Sequence, residues 1–188
     1  MSDRPPWLFS LPDLHEFPPG TMPSPYQFMV PERHLPAGLR LLAVGWIDGP
    51  DPFPTGASDP EVVSRLLGLG RECLIDEGTA GWHCCYYCGE DEFDDEEHPD
   101  YGSREGIWLS RPACPFGKGH HLVRFGDAVY MCPALLPHYV VVHGYRPPDV
   151  FVRAVLEGRF LADSDLIRPK GAPKGRRDRH TGAWRKIE

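Results

Sequence analysis

The chain has 188 residues and a mass of 21.2 kDa, which is enough for one domain with a moderate hydrophobic core. Its 41% apolar residues and mean hydropathy of −0.38 are typical of a soluble globular protein. The longest apolar runs fall far short of the roughly 20 residues that a membrane-spanning helix needs, and residues 1–10 lack an export signal. We therefore expect a cytoplasmic protein without a membrane segment.

The charge is distributed unevenly around a net value of −7. Residues 165–188 contain eight basic and three acidic side chains, whereas residues 1–164 contain 12 basic and 24 acidic ones. An acidic body repels a phosphate backbone, which makes nucleic acid an unfavourable partner. Eight of the eleven residues 90–100 are acidic, which favours an exposed loop. This loop and the basic tail are the two segments expected to pair with each other or to recruit a protein partner.

The composition divides the chain into three parts. Residues 1–38 contain nine prolines, which exclude regular helix and central strand, yet the segment is too aromatic for a free tail. We expect an extended Pro-rich arm packed on the body. Residues 39–160 carry the pattern of an α+β domain. Residues 161–188 are basic, interrupted by Pro and Gly, and expected to be disordered.

Strand patterns predict a small antiparallel sheet in this domain. The run LRLLAVGWI at 39–47 has the length and apolar character of a core strand. Three further short strands are expected at Ile107–Ser110, His121–Phe125 and Ala128–Cys132. The Gly-Asp pair between the last two has turn character, so these two strands are expected to form a hairpin or part of a meander.

Two or three helices are expected at one side of the sheet. Asp59-Pro60 starts the first, with Asp as N-cap and Pro at the first helical position, and this helix is expected to end near Cys73. Residues 133–139 can open a second helix, because Pro137 is tolerated in a first turn. Residues 148–157 predict a third, which begins at a proline and stops before a glycine.

The segment GWHCCYYCG at 81–89 carries the clearest chemical signal. In a protein without an export signal the six cysteines are expected to be mostly reduced, so their spacing favours metal-ligand chemistry over disulfides. The Cys85-x-x-Cys88 spacing lets two thiolates on one tight turn reach one ion. The spacing His138-x4-His143 supplies two imidazoles in the same way. The four side chains together predict a Cys2His2-type zinc site that joins distant parts of the chain.

Helix geometry works against this assignment at one point. On an ideal helix His138 and His143 would point about 140° apart. They converge only if the last helical turn opens, which Gly144 would permit.

His83 is a fifth candidate ligand, and it leaves two arrangements open. A tetrahedral zinc needs four ligands, so His83 is either surplus to the sphere, orients another ligand, or replaces His143. Four protein ligands would close the sphere and make the zinc structural. Three would leave a water on the metal, with a pKa near 7, and permit hydrolysis. Thiolates with imidazoles favour zinc over magnesium or calcium.

Three segments of the chain together resemble a known family: GWHCCYYC, IWLS and VYMCPALLPHYVVVHGYRPPDVFVRAVLEG. This is an uncharacterised bacterial family, common in actinomycetes, with G-x-H-x-C-x-x-C and P-x-L-x-x-H-Y-x-x-x-H-x-Y-x-P-P segments. The resemblance extends over about residues 39–157. It implies that the five candidate ligands are motif residues, namely His83, Cys85, Cys88, His138 and His143. It implies no reaction and no substrate.

The sequence therefore supports two main hypotheses about function. The first is an accessory or protein-interaction protein with a structural zinc. The second is a zinc-dependent hydrolase with an open coordination position, in which a histidine is free for proton transfer. The sequence assigns no catalytic residue, and nucleic-acid binding through the tail is the least favoured function.

Overall fold

A computed structural model describes residues 11–18, 35–47, 49, 51–68, 74–75, 83–88, 116–117, 119–167, 176–177 and 184–185. The strands are β1 (Glu16–Phe17), β2 (Arg40–Ala43), β3 (Leu74–Ile75), β4 (His83–Cys84), β5 (Phe116–Gly117), β6 (His120–Phe125), β7 (Ala128–Pro133), β8 (Arg159–Leu161), β9 (Arg176–Arg177) and β10 (Trp184–Arg185). The α-helices are α1 (Pro60–Leu67), α2 (Leu136–Val142) and α3 (Asp149–Glu157). The predicted strand at Ile107–Ser110 and the acidic segment 90–100 lie outside the described residues.

One mixed sheet organises the α+β domain. Five strands lie in the order β1-β2-β7-β6-β3. The sixth, β8, pairs with residues 122–124 of β6, on the same edge where β3 pairs with residues 120–121. The predicted hairpin is confirmed, since β6 and β7 pair antiparallel on either side of the Gly126-Asp127 turn. The expectation of a purely antiparallel sheet is wrong, because β2 pairs with β7 in parallel. The long connection between β2 and β7, which contains α1, allows this parallel pairing.

Alternate residues of the central strands enter two separate cores, one on each face of the sheet. Leu42 and Tyr130 lie on the face that α1, α2 and α3 cover, in a cluster with Val62, Leu136 and Phe151. The opposite face, hereafter the arm-side core, consists of Leu41, Ala43, Trp46, Leu122, Val129, Met131, Leu161 and Leu166, with Leu11, Phe17, Leu35 and Leu39 packed against them. Burial on both faces explains why residues 39–47 form an apolar run without alternation.

The three helices follow from local signals. The Asp59 side chain accepts a hydrogen bond of 2.8 Å from the Glu61 N–H, as predicted for an N-cap. The helix ends at Leu67, so the predicted end near Cys73 is wrong: Gly68 takes the C-cap and closes the backbone hydrogen bonds. In α2, Pro137 lies in the first turn as expected. In α3, the start after a proline and the stop at Gly158 are confirmed.

Two segments outside the central domain are described in part. Residues 11–18 of the Pro-rich arm lie along the sheet, where β1 pairs antiparallel with β2 and Glu16 forms an ion pair of 2.7 Å with Arg40. In the basic tail, which we expected to be disordered, β9 and β10 pair antiparallel. Among the helices that the structure describes, none has the length and apolar character needed to cross a membrane.

Candidate metal centre

A tight turn after a short strand presents the two cysteines. Strand β4 pairs antiparallel with β5, and Cys85 follows it directly. Residues 86–88 then form one turn of 3-10 helix, in which the Cys88 N–H donates a hydrogen bond of 3.3 Å to the Cys85 carbonyl. The backbone of Cys88 and Tyr87 acts to lower the pKa of the Cys85 thiol, against the larger effect of burial. The turn therefore holds both thiols on one side, as the Cys-x-x-Cys spacing predicts.

Helix α2 presents the two histidines. His138 lies in its first turns and is buried, whereas His143 is the C-cap, with φ −100° and ψ 0°. Gly144 follows with φ +63°, a left-handed conformation that favours glycine and ends the helix. The His143 N–H keeps its hydrogen bond of 3.2 Å to the Tyr139 carbonyl, and the helix ends before Gly144. The two imidazoles nevertheless converge, with their Nε2 atoms 3.1 Å apart, instead of diverging by the about 140° expected on an ideal helix.

The four side chains converge on one point, their ligand atoms all lying within 4.8 Å of one another. The Nε2 atoms of His138 and His143 are 3.1 Å apart. The Cys85 sulfur lies 3.2 Å from His143 Nε2, and the Cys88 sulfur lies 3.4 Å from each imidazole Nε2. With Zn–S bonds of about 2.3 Å and Zn–N bonds of about 2.0–2.1 Å, tetrahedral edges measure about 3.3 Å between nitrogens and about 3.5 Å between sulfur and nitrogen. The cluster is thus close to the size of a tetrahedral zinc sphere.

Burial sets the protonation of these groups. Cys85 and His138 are buried, while Cys88 and His143 are partly exposed. Burial, with a smaller contribution from Cys88, raises the pKa of the Cys85 thiol to about 12. Burial, reinforced by the neighbouring His143, lowers the pKa of His138 to about 4, and burial also lowers the pKa of His143. Both imidazoles are therefore neutral near pH 7, with lone pairs available to a cation, whose charge would favour the Cys85 thiolate.

A chain of three aromatic side chains leads away from the cluster. The Tyr87 ring lies 5.4 Å from the His143 ring and 5.0 Å from Phe53, which in turn lies 6.0 Å from Tyr145. The Tyr87 hydroxyl donates a hydrogen bond to the Ile47 carbonyl at the end of the first core segment. Tyr87 therefore connects the cysteine turn to the sheet independently of any cation.

The structure brings four of the five predicted ligands together. For His83 it describes only the backbone, in β4, so a ligand role of the side chain stays a prediction. Three further buried Cys and His side chains, namely His120, His121 and Cys132, lie in the sheet outside the cluster. His121 is paired with Cys132 across the hairpin.

Sequence reasoning missed two residues, Asp13 and Tyr145, that form a hydrogen bond next to the cluster. Asp13 Oδ1 accepts hydrogen bonds from the Tyr145 hydroxyl at 2.7 Å and from the Gly45 N–H at 2.9 Å. Burial and the Asp13 carboxylate raise the pKa of Tyr145, so its hydroxyl stays a donor. Asp13 lies in the Pro-rich arm, far from Tyr145 in sequence, and no local pattern signals the pair.

The fold and the cluster define an α+β domain with a Cys2His2-like group of side chains that is compatible with metal binding. The chain belongs to a family described as a domain of unknown function (DUF7919), whose profile matches residues 14–156. This range contains all four clustered side chains. No curated protein and no solved structure gave a significant match to the chain.

Proposed function

We propose that this chain is a zinc-binding accessory or protein-interaction protein whose zinc is structural and is held by Cys85, Cys88, His138 and His143. One observation carries the proposal: side chains from two segments separated by the hairpin place their ligand atoms within 4.8 Å of one another. Exposed acidic clusters occur often without a cation, but two thiols and two imidazoles rarely converge by packing alone.

The donor chemistry supports zinc as the metal. Thiolate sulfur and imidazole nitrogen suit zinc, whereas magnesium and calcium take oxygen ligands. Four separations between ligand atoms, from 3.1 to 3.4 Å, suit a small tetrahedral ion.

The position of the cluster supports a structural role. Cys85 belongs to the core on the sheet face that the three helices cover, and Tyr87 and Cys88 pack against this core. His138 is buried in α2. A cation here would join the cysteine turn to α2 and contribute its binding free energy to folding. The interaction role rests on the acidic segment 90–100 and the basic tail, whose charges suit partners of opposite sign.

Metal analysis and thermal unfolding test the structural proposal together. Purified protein should contain one zinc per chain, and removing it with a chelator should lower the melting temperature, with recovery on adding zinc back. Single alanine substitutions at Cys85, Cys88, His138 and His143 should each abolish the stoichiometric zinc. A well-folded protein that contains no zinc and does not respond to the chelator would contradict the proposal.

The alternative is a zinc-dependent hydrolase, and partial exposure of one side of the cluster favours it. Cys88 and His143 are only partly buried, so this side is the one at which a water could reach a bound ion. If His143 is not a ligand, its imidazole would be free for proton transfer. Unchanged zinc content in a His143→Ala variant, with an oxygen neighbour at the metal, would favour this alternative. Unchanged zinc content with the fourth position taken by His83 would keep the sphere closed and the zinc structural.

A further inference from the structure

We propose that the Pro-rich arm and the metal centre are energetically coupled. Asp13 is the positioning residue: it fixes the backbone that follows α2 and thereby the orientation of His143, one of the proposed ligands. The proposal rests on the proposed metal site and adds a second element, residues 11–17, whose docking and metal binding promote each other.

The first step is the position of His143. It is the C-cap of α2: its N–H donates to the Tyr139 carbonyl at 3.2 Å, and its φ of −100° and ψ of 0° lead the chain out of the helix, so its orientation also depends on the backbone that follows. That backbone is fixed by two hydrogen bonds: the Tyr145 N–H donates to the Tyr139 carbonyl at 3.0 Å, and the Gly56 N–H donates to the Gly144 carbonyl at 2.9 Å. Displacement of Tyr145 would therefore move His143.

The second step is what holds Tyr145. Its side chain is fully buried, and its hydroxyl donates to Asp13 Oδ1 at 2.7 Å. The same oxygen accepts from the Gly45 N–H at 2.9 Å. Gly45 has φ +71°, and a Cβ there would lie 2.4 Å from Leu136 at the start of α2. One carboxylate oxygen thus connects the end of the first core segment to the segment that follows α2.

The third step is that Asp13 arrives with the arm. The Leu11 N–H donates to the Trp46 carbonyl at 2.9 Å and the Leu14 N–H to the Ala43 carbonyl at 2.7 Å, while Leu11 and Phe17 pack on the arm-side core. Undocking these residues would remove the carboxylate from Tyr145, leaving a buried hydroxyl without its acceptor. Coupling between sites is reciprocal, so a cation that fixes His143 must also favour the docked arm.

Zinc affinity, measured by competition with a chromophoric chelator, tests the coupling in the full chain. Tyr145→Phe keeps the ring and removes the donor, and Asp13→Ala removes the acceptor. Each should weaken zinc binding by about 5-fold to 20-fold, within the usual range of coupling between sites. The double variant should be no weaker than the single ones, because both changes break the same contact. Glu16→Gln is the matched control: it removes an exposed ion pair of the same arm and should change the affinity less than 2-fold.

Amide hydrogen exchange distinguishes coupling from a purely structural role of Asp13 and Tyr145, because it measures whether zinc binding protects the arm. Zinc should slow exchange at Leu11 and Leu14 in the wild type by a similar factor, and this effect should be absent in Tyr145→Phe. Folded variants with wild-type affinity, or arm amides that ignore zinc in a wild type that binds it, would overturn the coupling and leave the metal site intact. A wild type that binds no zinc would overturn both the coupling and the proposed function.

Discussion

The β6–β7 hairpin and the cysteine segment 83–88 are held in different ways. The hairpin has six paired positions, and its side chains enter the cores on both faces of the sheet, with Val123, Val129 and Met131 fully buried. In the cysteine segment β4 forms two pairs with β5, and the described side chains that pack on the core are Cys85, Tyr87 and Cys88.

This difference predicts which part of the chain depends on a bound cation for its stability. The hairpin is stabilised by apolar burial, at about 25 cal/mol per Å² of apolar surface removed from water. The described side chains of the cysteine segment contact the core through Cys85, Tyr87 and Cys88, and in our proposal the position of this segment also depends on zinc. Loss of the metal should therefore affect residues 83–88 and the end of α2 first, whereas loss of core packing should affect the whole domain.

The largest effect is expected from Cys85→Ala, which removes a buried thiolate ligand. Stoichiometric zinc should be lost and, when zinc is present at about 1,000 times its Kd, the free energy of unfolding should fall by about 4 kcal/mol. Chemical denaturation with metal analysis measures both. Cys132→Ala is the control, because this cysteine is equally buried but lies outside the cluster. Equal zinc loss in both variants would contradict the comparison.

Met131→Ala should produce the opposite pattern. Met131 is fully buried in the arm-side core, so the cavity should lower the free energy of unfolding by about 3 kcal/mol. Zinc content should stay at one per chain, because the sheet face that contains Met131 is not the one that carries the cluster. A folded variant without zinc would show that the two regions are not separable.

Acid should destabilise the metal-free protein through the cluster. The pKa of His138 is lowered to about 4, so the unfolded chain takes up a proton below pH 6.5 before the folded chain does, and stability falls as the pH decreases from about 6.5 to 4. This pKa difference would correspond to about 3 kcal/mol, and solvent screening at the partly exposed cluster reduces the expected loss to about 2 kcal/mol. The pKa of Cys85 is raised to about 12, so stability should also fall above pH 9, where only the unfolded thiol ionises.

Denaturation curves across this pH range, with and without chelator, measure both effects. His138→Gln should reduce the acid effect, because the substituted side chain does not titrate. Bound zinc should remove the part of the alkaline loss that is due to Cys85, since it holds this thiolate ionised in the folded state. The part due to Cys132, whose pKa is also raised to about 12 by burial, should remain. An alkaline limb that is unchanged by zinc would show that Cys85 is not a ligand.

The smallest effect is expected from Asp59→Ala. This change removes the N-cap hydrogen bond to the Glu61 N–H and should lower the free energy of unfolding by about 1 kcal/mol. Helix α1 packs against α2 and α3 but contributes no ligand, so zinc affinity should not change. A shift in affinity measured by chelator competition would indicate that α2 is less rigid than the structure implies.

Local signals were sufficient for much of this fold. The Asp59-Pro60 start, the Gly126-Asp127 turn and the stop at Gly158 each act within a few residues, and all three are confirmed. Cys85 and Cys88 lie on one turn, and His138 and His143 are five residues apart, within α2 and at its C-cap. Spacing therefore gave five candidate ligands, and four of them converge, whereas the choice between His143 and His83 stayed open at the level of the sequence.

Long-range contacts account for what the sequence did not reveal. The parallel pairing of β2 with β7 joins segments that no local pattern relates. Gly68 ended α1 earlier than its apolar periodicity indicated. The contact of Asp13 with Tyr145 depends on how the arm crosses the sheet, and neither residue type indicates a partner.

X-ray absorption fine structure at the zinc edge of the purified protein tests the central claim most directly, because it counts the sulfur and nitrogen neighbours of the ion. We predict two sulfurs at about 2.3 Å and two nitrogens at about 2.0–2.1 Å, and any zinc that Cys85→Ala takes up from an excess should have at most one sulfur neighbour. A zinc shell made of oxygen and nitrogen alone, or one unchanged by that substitution, would contradict a cation held between the cysteine turn and α2.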